Sequence, residues 1–488
     1  EFVLQSVALW YWSRIFRRPD GTLPWLFVGL PAGLYSLLIC PAWLSRTTTA
    51  LTWANPGEGS EPVYGSLWSY FNGMETSLVL FFFALVAYLA TREKPLDRPI
   101  AMGLALSGFV FARLDHGLIA LPIFLGISFD HMRQVKTWRE RLKAPTIAAL
   151  AFGLPIIAYL LVNHFVIGSA MPISGRMKST FPFVSFENMD VSRRWLNDLI
   201  KLRVDRIDDH WRVLQIWIPL LFAALAPLVV FRMRLRRGHM IISWPNEGSR
   251  RGGFLLLTAI GVVGLGMYDI MFVLAFGIGH WYFPVSTFFV SLLALHGSER
   301  LRLAWINRWK RKEETPRRAS LRRGAGFAIP VVLVATVAAL FPLFHRMPNY
   351  HLRYAEFALD QGPQFRKFAQ ENAVKIMDCD DGIVAWVANV PAMSATGLGL
   401  DPEAARARTM APNTSTLMSL AMRRGYSYAA TLVYVDMSRL KGGSPKEVLA
   451  WMTSTGAFTQ LGRLADYSWS VAYITPRRDF AVLQAKPK

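Results

Sequence analysis

Cysteine is almost absent from this chain: Cys40 and Cys379 are the only two among 488 residues. One pair in so long a chain is no disulfide framework, and neither thiol stands in a metal-ligand spacing. Acidic residues are also scarce, 33 against 54 lysines and arginines, which leaves a net charge of +21. No phosphate-cradling glycine loop, Cys-x-x-Cys pair or His-Glu-x-x-His helix occurs. Cytoplasmic nucleotide chemistry and zinc hydrolysis therefore have no support. The chain opens Glu1-Phe-Val-Leu4, without an initiator Met or a signal-peptide pattern, and no repeat of solenoid period runs through it.

What is abundant is apolar sequence. Hydrophobic residues make up 53% of the chain and the mean hydropathy is +0.27, too apolar for an ordinary soluble protein of this length. The apolar residues cluster in stretches near the roughly 17–25 residues that cross a bilayer core. Candidate spans are 1–16, 24–44, 74–91, 99–112, 117–129, 146–166, 213–232, 253–276, 281–296 and 326–344. The pair 99–112 and 117–129 is broken at Arg113-Leu-Asp115-His116-Gly117.

The basic surplus falls in short runs between these stretches: Arg14 to Arg18, Arg133 to Lys143, Arg232 to Arg251 and Arg300 to Arg323. A pI near 10.2 would suit nucleic acid, but cytoplasmic loops of membrane proteins carry such an excess by default. No nucleic-acid partner is expected. With the basic loops in the cytoplasm, every span alternates. The other face then receives 45–73, Arg113 to Gly117, 168–212, the Gly277 to Tyr282 turn and everything after 344. This topology also calls for a helix before residue 1.

Residues 345–488 read as a small extracytoplasmic α/β domain, large enough for its own core. Ala373 to Met377, Gly382 to Val387, Thr431 to Val435 and Tyr467 to Ile474 look like strands. Asp401 to Thr409 and Pro412 to Arg424 look helical, the latter with Asn413 or Thr414 as N-cap. The fold expected is a polytopic α-helical membrane protein of about ten helices over 1–344, followed by this domain.

Four constellations fall on the non-basic face. Asn72-Gly-Met-Glu75-Thr76 opens a very apolar helix. Glu75 there is either a charge favoured by the helix dipole or a carboxylate that orients a hydroxyl substrate. Arg113-Leu-Asp115-His116-Gly117 is either a turn closed by its own ion pair or a site, since charge beside hydrocarbon is costly. Gly168 to Lys178 carries Arg176 and Lys178 beside Gly and Ser. They suit an anionic headgroup, with snorkelling cations as the alternative. Gly277-Ile-Gly279-His280-Trp-Tyr282-Phe-Pro284 is either an aromatic belt or a turn whose His meets phosphate or a proton. Asp378-Cys-Asp380-Asp381-Gly382 lacks the spacing of a calcium loop and reads as an acidic turn.

In this order, these four elements resemble the GT-C superfamily of integral membrane glycosyltransferases. The nearest branch is the bacterial enzymes that use polyprenyl-phosphate sugars, including arabinofuranosyltransferase-like members. The resemblance rests on Gly73 to Thr76, on Arg113 to Gly117 with His116 inserted, on Pro172 to Lys178, and on His280 to Pro284 with the usual Arg replaced. It implies transfer of a sugar from a polyprenyl-phosphate donor to a glycan, lipid or protein acceptor, with inversion, at the outer face of a bacterial inner membrane. Glu75 and Asp115 are then the candidate catalytic or hydroxyl-binding carboxylates. Arg113, Arg176, Lys178, His280 and Tyr282 are the candidates for the donor phosphate.

Trp386 and Tyr428 could offer sugar-stacking faces, though core packing is the expected fate of each. The superfamily admits a divalent metal, but no ligand set here demands one, so neither metal nor cofactor is assigned. The superfamily's catalytic Asp of the first outer loop has no counterpart between Asp20 and Asp97; the helix expected before residue 1 is where it would belong. The alternative is a non-catalytic membrane subunit derived from such an enzyme, which scaffolds a larger membrane assembly and docks acidic partners or anionic lipid. A lipid-linked glycan transporter is disfavoured, because apart from Asp269 few charges lie within the spans.

Overall fold

A computed structural model describes residues 2–18, 21–24, 27, 76–167, 181–201, 211–236, 239–243, 249–273, 284–310, 361–379, 383–395, 416–431, 444–455, 463–474 and 480–488, with a few isolated positions besides. Nearly all of the expected span 24–44, the span 326–344, the loop 45–73, most of 168–178, Cys40, Asp380 to Gly382 and most of 401–409 lie outside the described residues. The protein is mostly helical with a small C-terminal sheet. It divides into two compact units. The first comprises Glu1–Ala54, Val63–Ala158 and Thr180–Met347; the second comprises Asn55–Pro62, Tyr159–Ser179 and Pro348–Lys488.

The described helices before the sheet domain are α1 (Phe2–Phe16), α2 (Thr76–Ala90), α3 (Pro99–Ala112), α4 (Gly117–Gln134), α5 (Trp138–Ile167), α6 (Phe186–Ile200), α7 (Trp211–Val230), α8 (Ser249–Phe272) and α9 (Pro284–Lys310). They belong to the first unit, except that α5 passes into the second at Tyr159, and all but α6, which lies in the expected loop 168–212, follow the apolar runs. Pro99 supplies the preset φ of a first helical position. The core that joins α1, α2, α3 and α9 is aromatic. Trp12 lies 5.5 Å from Phe83 and 5.4 Å from Phe288, and Phe83 stacks on Phe109 at 5.6 Å. Such ring pairs add roughly 0.5–1.5 kcal/mol each beyond area burial.

Among the described residues, two helices are long and apolar enough to cross a membrane, Trp138–Val166 and Arg250–Phe272. Only 11% of the apolar window of the first is buried, against 50% for the second. Leu150, Leu154 and Ile157 of α5 are all more than half exposed. α5 thus leaves most of its apolar surface uncovered by the described residues.

The basic runs converge on one end of this unit. Arg18, just past α1, pairs with Glu299 of α9 through Nη2 at 2.6 Å and Nε at 3.1 Å, and Arg302 Nε reaches the same carboxylate at 3.0 Å. Burial pushes the Glu299 carboxyl up, but the hydrogen bonds and charges of Arg18 and Arg302 outweigh it and hold the group below its ordinary value. Arg250 donates to the carbonyls of Arg92 and Glu93 just past α2, and Arg300 to those of Val229 and Phe231 at the end of α7. Arg251 lies over the Phe16 ring at 5.7 Å. Helix ends leave carbonyls without partners, and here arginines from neighbouring helices supply them.

A hairpin, β1 (Arg232–Arg236) with β2 (His239–Ser243), occupies part of the run read from sequence only as a basic loop. Arg-Met-Arg-Leu-Arg has the alternation of a strand.

The second unit carries a five-stranded sheet. Its described elements are α10 (Gly362–Glu371), β3 (Ile376–Asp378), α11 (Ile383–Ala388), β4 (Ala392–Ser394), α12 (Thr416–Arg423), β5 (Tyr428–Thr431), α13 (Pro445–Thr455), β6 (Tyr467–Ile474) and β7 (Ala481–Pro487). The strand order is β4-β3-β5-β7-β6, with β3, β4 and β5 parallel and β7 antiparallel to both neighbours. Successive strand residues feed opposite faces. Ile376, Ala430 and Val482 join Phe365 and Val384 on one side, whereas Met377, Ala429 and Leu483 join Leu417 and Met452 on the other. Helices therefore cover both faces of one sheet.

One expected strand is a helix. Gly382 to Val387 was expected to be extended, but Ile383–Ala388 coils into α11. The segment connects parallel strands β3 and β4, which requires a crossover. The buried Asp378 carboxylate accepts the Ala385 N–H at 3.1 Å and so satisfies a free donor of the first turn. Val384, Ala385, Val387 and Ala388 turn inward, and Trp386 is left 77% exposed. That exposure overturns core packing for Trp386. Tyr428 is partly buried against the core as expected, and its hydroxyl accepts from Gln484 at 3.3 Å.

Candidate functional site

The turn between α3 and α4 carries a pair of charges at the opposite end of these helices from the basic runs. α3 stops where Arg113 becomes extended, at φ −158° and ψ 123°, and a single 3-10 turn, Leu114–His116, leads into Gly117. This geometry folds Arg113 over Asp115. Nε donates to Oδ1 at 3.1 Å and Nη2 to Oδ2 at 2.6 Å, a two-pronged pair with side chains 6% and 16% exposed. Burial pushes the Asp115 carboxyl up, but the Arg113 guanidinium outweighs it and holds the group below its ordinary value. The planar fork of arginine matches a carboxylate in this way.

His116 turns inward. It is fully buried, stacks on Phe109 at 4.9 Å and 11°, and has no hydrogen-bond partner for either ring nitrogen among the described residues. Burial, helped by the positive charge of Arg113, lowers its pKa to about 4 against the opposing pull of Asp115. The imidazole is neutral at ordinary pH.

A second acidic residue, Asp269, joins Arg113 and Asp115 from α8. Asp269 lies in that helix's last turn, is 4% exposed, and stands within electrostatic range of both Asp115 and Arg113. Helix packing brings it there. α4 and α8 run antiparallel and touch through glycine: a Cβ built on Gly261 would meet the Ile119 Cα at 2.5 Å, and one on Gly264 the Leu118 Cβ at 3.8 Å. Two turns beyond Gly261, α8 reaches the Arg113 turn. Asp269 has no ion-pair or side-chain hydrogen-bond partner among the described residues.

No family model, curated protein or solved structure matches this chain.

The axial placement is informative. Arg250 lies in the first turn of α8 and Asp269 in the last, nineteen residues on. At 1.5 Å per residue they stand about 28 Å apart. That is close to the thickness of a hydrocarbon core. One charged layer holds Arg18, Arg250, Arg300 and Glu299; the other holds Arg113, Asp115 and Asp269.

Of the residues singled out in the sequence, the structure describes Arg113 and Asp115 and brings them together. Glu75, Arg176, Lys178, His280 and Tyr282 lie outside the described residues. The sequence shows Asp269 as a charge within a span but does not place it in the site. The glycines at 261 and 264 are the signal of a helix face in close approach, without naming its partner; Gly266 meets Leu220 of α7 instead. Among the described residues no group of three His, Cys, Asp or Glu side chains converges as a metal would require.

Proposed function

We propose that this chain is a multi-pass membrane glycosyltransferase, acting at the membrane surface that carries Arg113, Asp115 and Asp269. The donor is a polyprenyl-phosphate sugar and the acceptor a hydroxyl of a glycan, lipid or protein. The observation that carries the reading is the convergence of two carboxylates and an arginine at one end of apolar helices, a core thickness from the basic end. Ionisable groups beside hydrocarbon are costly, and those found there are paired or functional. The ordered motif resemblance supplies the reaction class.

In this reading the acceptor oxygen attacks the anomeric carbon while the bond to the donor phosphate breaks, and a carboxylate takes the hydroxyl proton. Asp115, pinned by Arg113 and held below its ordinary range, is a weak base; it orients a hydroxyl. Asp269 carries no fixed cation among the described residues and is the second carboxylate in reach. Arg176 and Lys178 are proposed to neutralise the departing phosphate, which lowers the barrier where water is scarce. The basic layer would face the cytoplasm.

The test uses the full chain in liposomes with radiolabelled polyprenyl-phosphate pentose and hexose donors, scoring release of polyprenyl phosphate. Asp269→Asn and Lys178→Ala should each lower release at least about 100-fold, as for loss of a group acting in the transition state. Release unchanged in both variants overturns the assignment.

One observation favours a second reading. The Arg113–Asp115 pair closes on itself at both prongs, as a purely structural turn would. A non-catalytic subunit of a membrane assembly would then release nothing from any donor, and would co-purify with partners that hold the activity.

A further inference from the structure

The segment entering α6 is turned inside out for a protein in water. Phe181, Phe183, Val184 and Phe186 are 50%, 78%, 43% and 78% exposed, and Met189, one turn on, is 36% exposed. On the opposite side of the same helix Asn188 and Ser192 are buried, at 6% and 5%. The Asn188 Nδ2 and the Ser192 Oγ have no partner among the described residues. Water would reward the reverse arrangement, since burying an unpaired amide or hydroxyl costs free energy while exposed phenyl rings gain nothing.

The depth of this segment is fixed. The Ser185 N–H donates to the Met271 carbonyl at 2.9 Å, and Phe181 sits edge-on to Phe272 at 5.3 Å. The rings therefore stand level with the last turn of α8, beside Asp269. Ser185 also starts the helix, its Oγ accepting the Asn188 N–H at 3.2 Å, as a serine N-cap does. Beyond Met189 the exposed face turns polar, with Arg193 and Arg194. Aromatic rings at the end of an apolar span, followed by arginines on a short helix, have the chemistry of a headgroup boundary.

We infer that Phe181 to Met189 forms a wedge seated in the lipid headgroup region of the leaflet at the Asp269 end of α8. The occupant of this apolar face is the bilayer itself, with Arg193 and Arg194 held at its polar surface. The inference rests on reading α5 and α8 as membrane spans, but not on any transferase activity. Its consequence is local: a lipid-linked substrate in that leaflet would meet the wedge at the same depth as Asp269 and Arg113.

The test places a fluorophore on single introduced cysteines, Phe183→Cys, Phe186→Cys and Leu154→Cys, with Cys40 replaced by Ser and the buried Cys379 retained. The full-length proteins are reconstituted in phosphatidylcholine–phosphatidylglycerol vesicles and exposed to lipids spin-labelled near the headgroup or near the chain end, and to aqueous iodide. The labels at 183 and 186 should lose fluorescence mainly to the headgroup-proximal lipid, and the label at 154 mainly to a deeper one. Quenching at 183 and 186 by iodide alone, with 154 still quenched by lipid, overturns the wedge and leaves the spans standing. Labels at 183 and 186 shielded from both quenchers mean that a partner protein or a second copy covers the face, which also overturns it. Absence of lipid quenching at 154 removes the span reading and the wedge with it.

Discussion

Gly261 lies against the backbone of Ile119, so closely that an added Cβ would stand 2.5 Å from the Ile119 Cα. α4 and α8 can meet at this spacing only because one of them has no side chain there. Small residues permit such approach between apolar helices, where van der Waals contact replaces the hydrophobic drive. Gly261→Val should therefore force the helices apart. The expected cost is about 1–3 kcal/mol, the usual range for overpacking, read as a lower Tm in detergent. Donor turnover should fall with it, because Asp269 would draw away from the Arg113 turn. A Tm and turnover equal to wild type would remove this packing as the determinant of the site.

The Arg113–Asp115 pair should behave as a unit. Removing one member leaves a nearly buried charge without its partner, which typically costs about 3–5 kcal/mol. Arg113→Met and Asp115→Leu should each destabilise on that scale, while the double variant recovers most of the loss. A double-variant cycle on thermal unfolding provides the check. Additive losses, with no recovery, would mean the two side chains do not depend on each other.

The pH dependence follows from His116. Its folded pKa of about 4 lies below the ordinary 6.5, so between those values the unfolded chain binds a proton that the folded protein refuses. Stability from this group is therefore complete above pH 6.5 and declines as pH falls toward 4. The loss is on the order of 3 kcal/mol at most, at 1.36 kcal/mol per pKa unit. Asp115 acts lower down: its depressed carboxyl contributes above the ordinary 3.8 and loses that contribution only as pH falls further. His116→Leu should flatten the Tm profile between pH 6.5 and 4 and raise Tm at pH 5, since two unpartnered nitrogens leave the core. An undiminished slope in that variant would assign the pH response to another group.

In the second unit two tryptophans should respond very differently. Trp469 is fully buried and donates from Nε1 to the Leu464 carbonyl at 2.9 Å, so Trp469→Ala should cost about 3–5 kcal/mol. Trp386 is 77% exposed, and Trp386→Ala should stay within about 0.5 kcal/mol. Thermal melts of the full chain would show it. A large loss from Trp386→Ala would mean that its face is covered in solution.

Parts of this architecture were plain in the residues. Pro99 to Ala112 is apolar throughout and is cut by Arg113, and the helix has those bounds. Tyr467 to Ile474, aromatic and β-branched, is a strand over the same eight residues. The basic runs do end their helices on one side, through contacts such as Arg18 with Glu299. Ile383 to Ala388 misled because six apolar residues fit both a buried strand and a buried helix turn; the crossover between parallel strands decided it. Asp269 could not be placed beforehand, since its partners are set by how α8 packs on α4, and no local pattern encodes which two helices meet. The wedge at Phe181 was also hidden, because sequence alone does not say that Asn188 and Ser192 point inward.

The about 28 Å between Arg250 and Asp269 along α8 makes this helix a ruler. In the proposed membrane setting, its two charged ends could not both stay at the water boundary if the surrounding acyl chains were much longer or much shorter than that span. The bilayer must then thin or thicken locally, or the helix must tilt, at a cost of fractions of a kcal/mol per ångström of mismatch. Tilting would shift Asp269 relative to the lipid surface while Arg250 stays tied to the carbonyls of Arg92 and Glu93. In that setting acyl-chain length would act on the protein without touching any site residue.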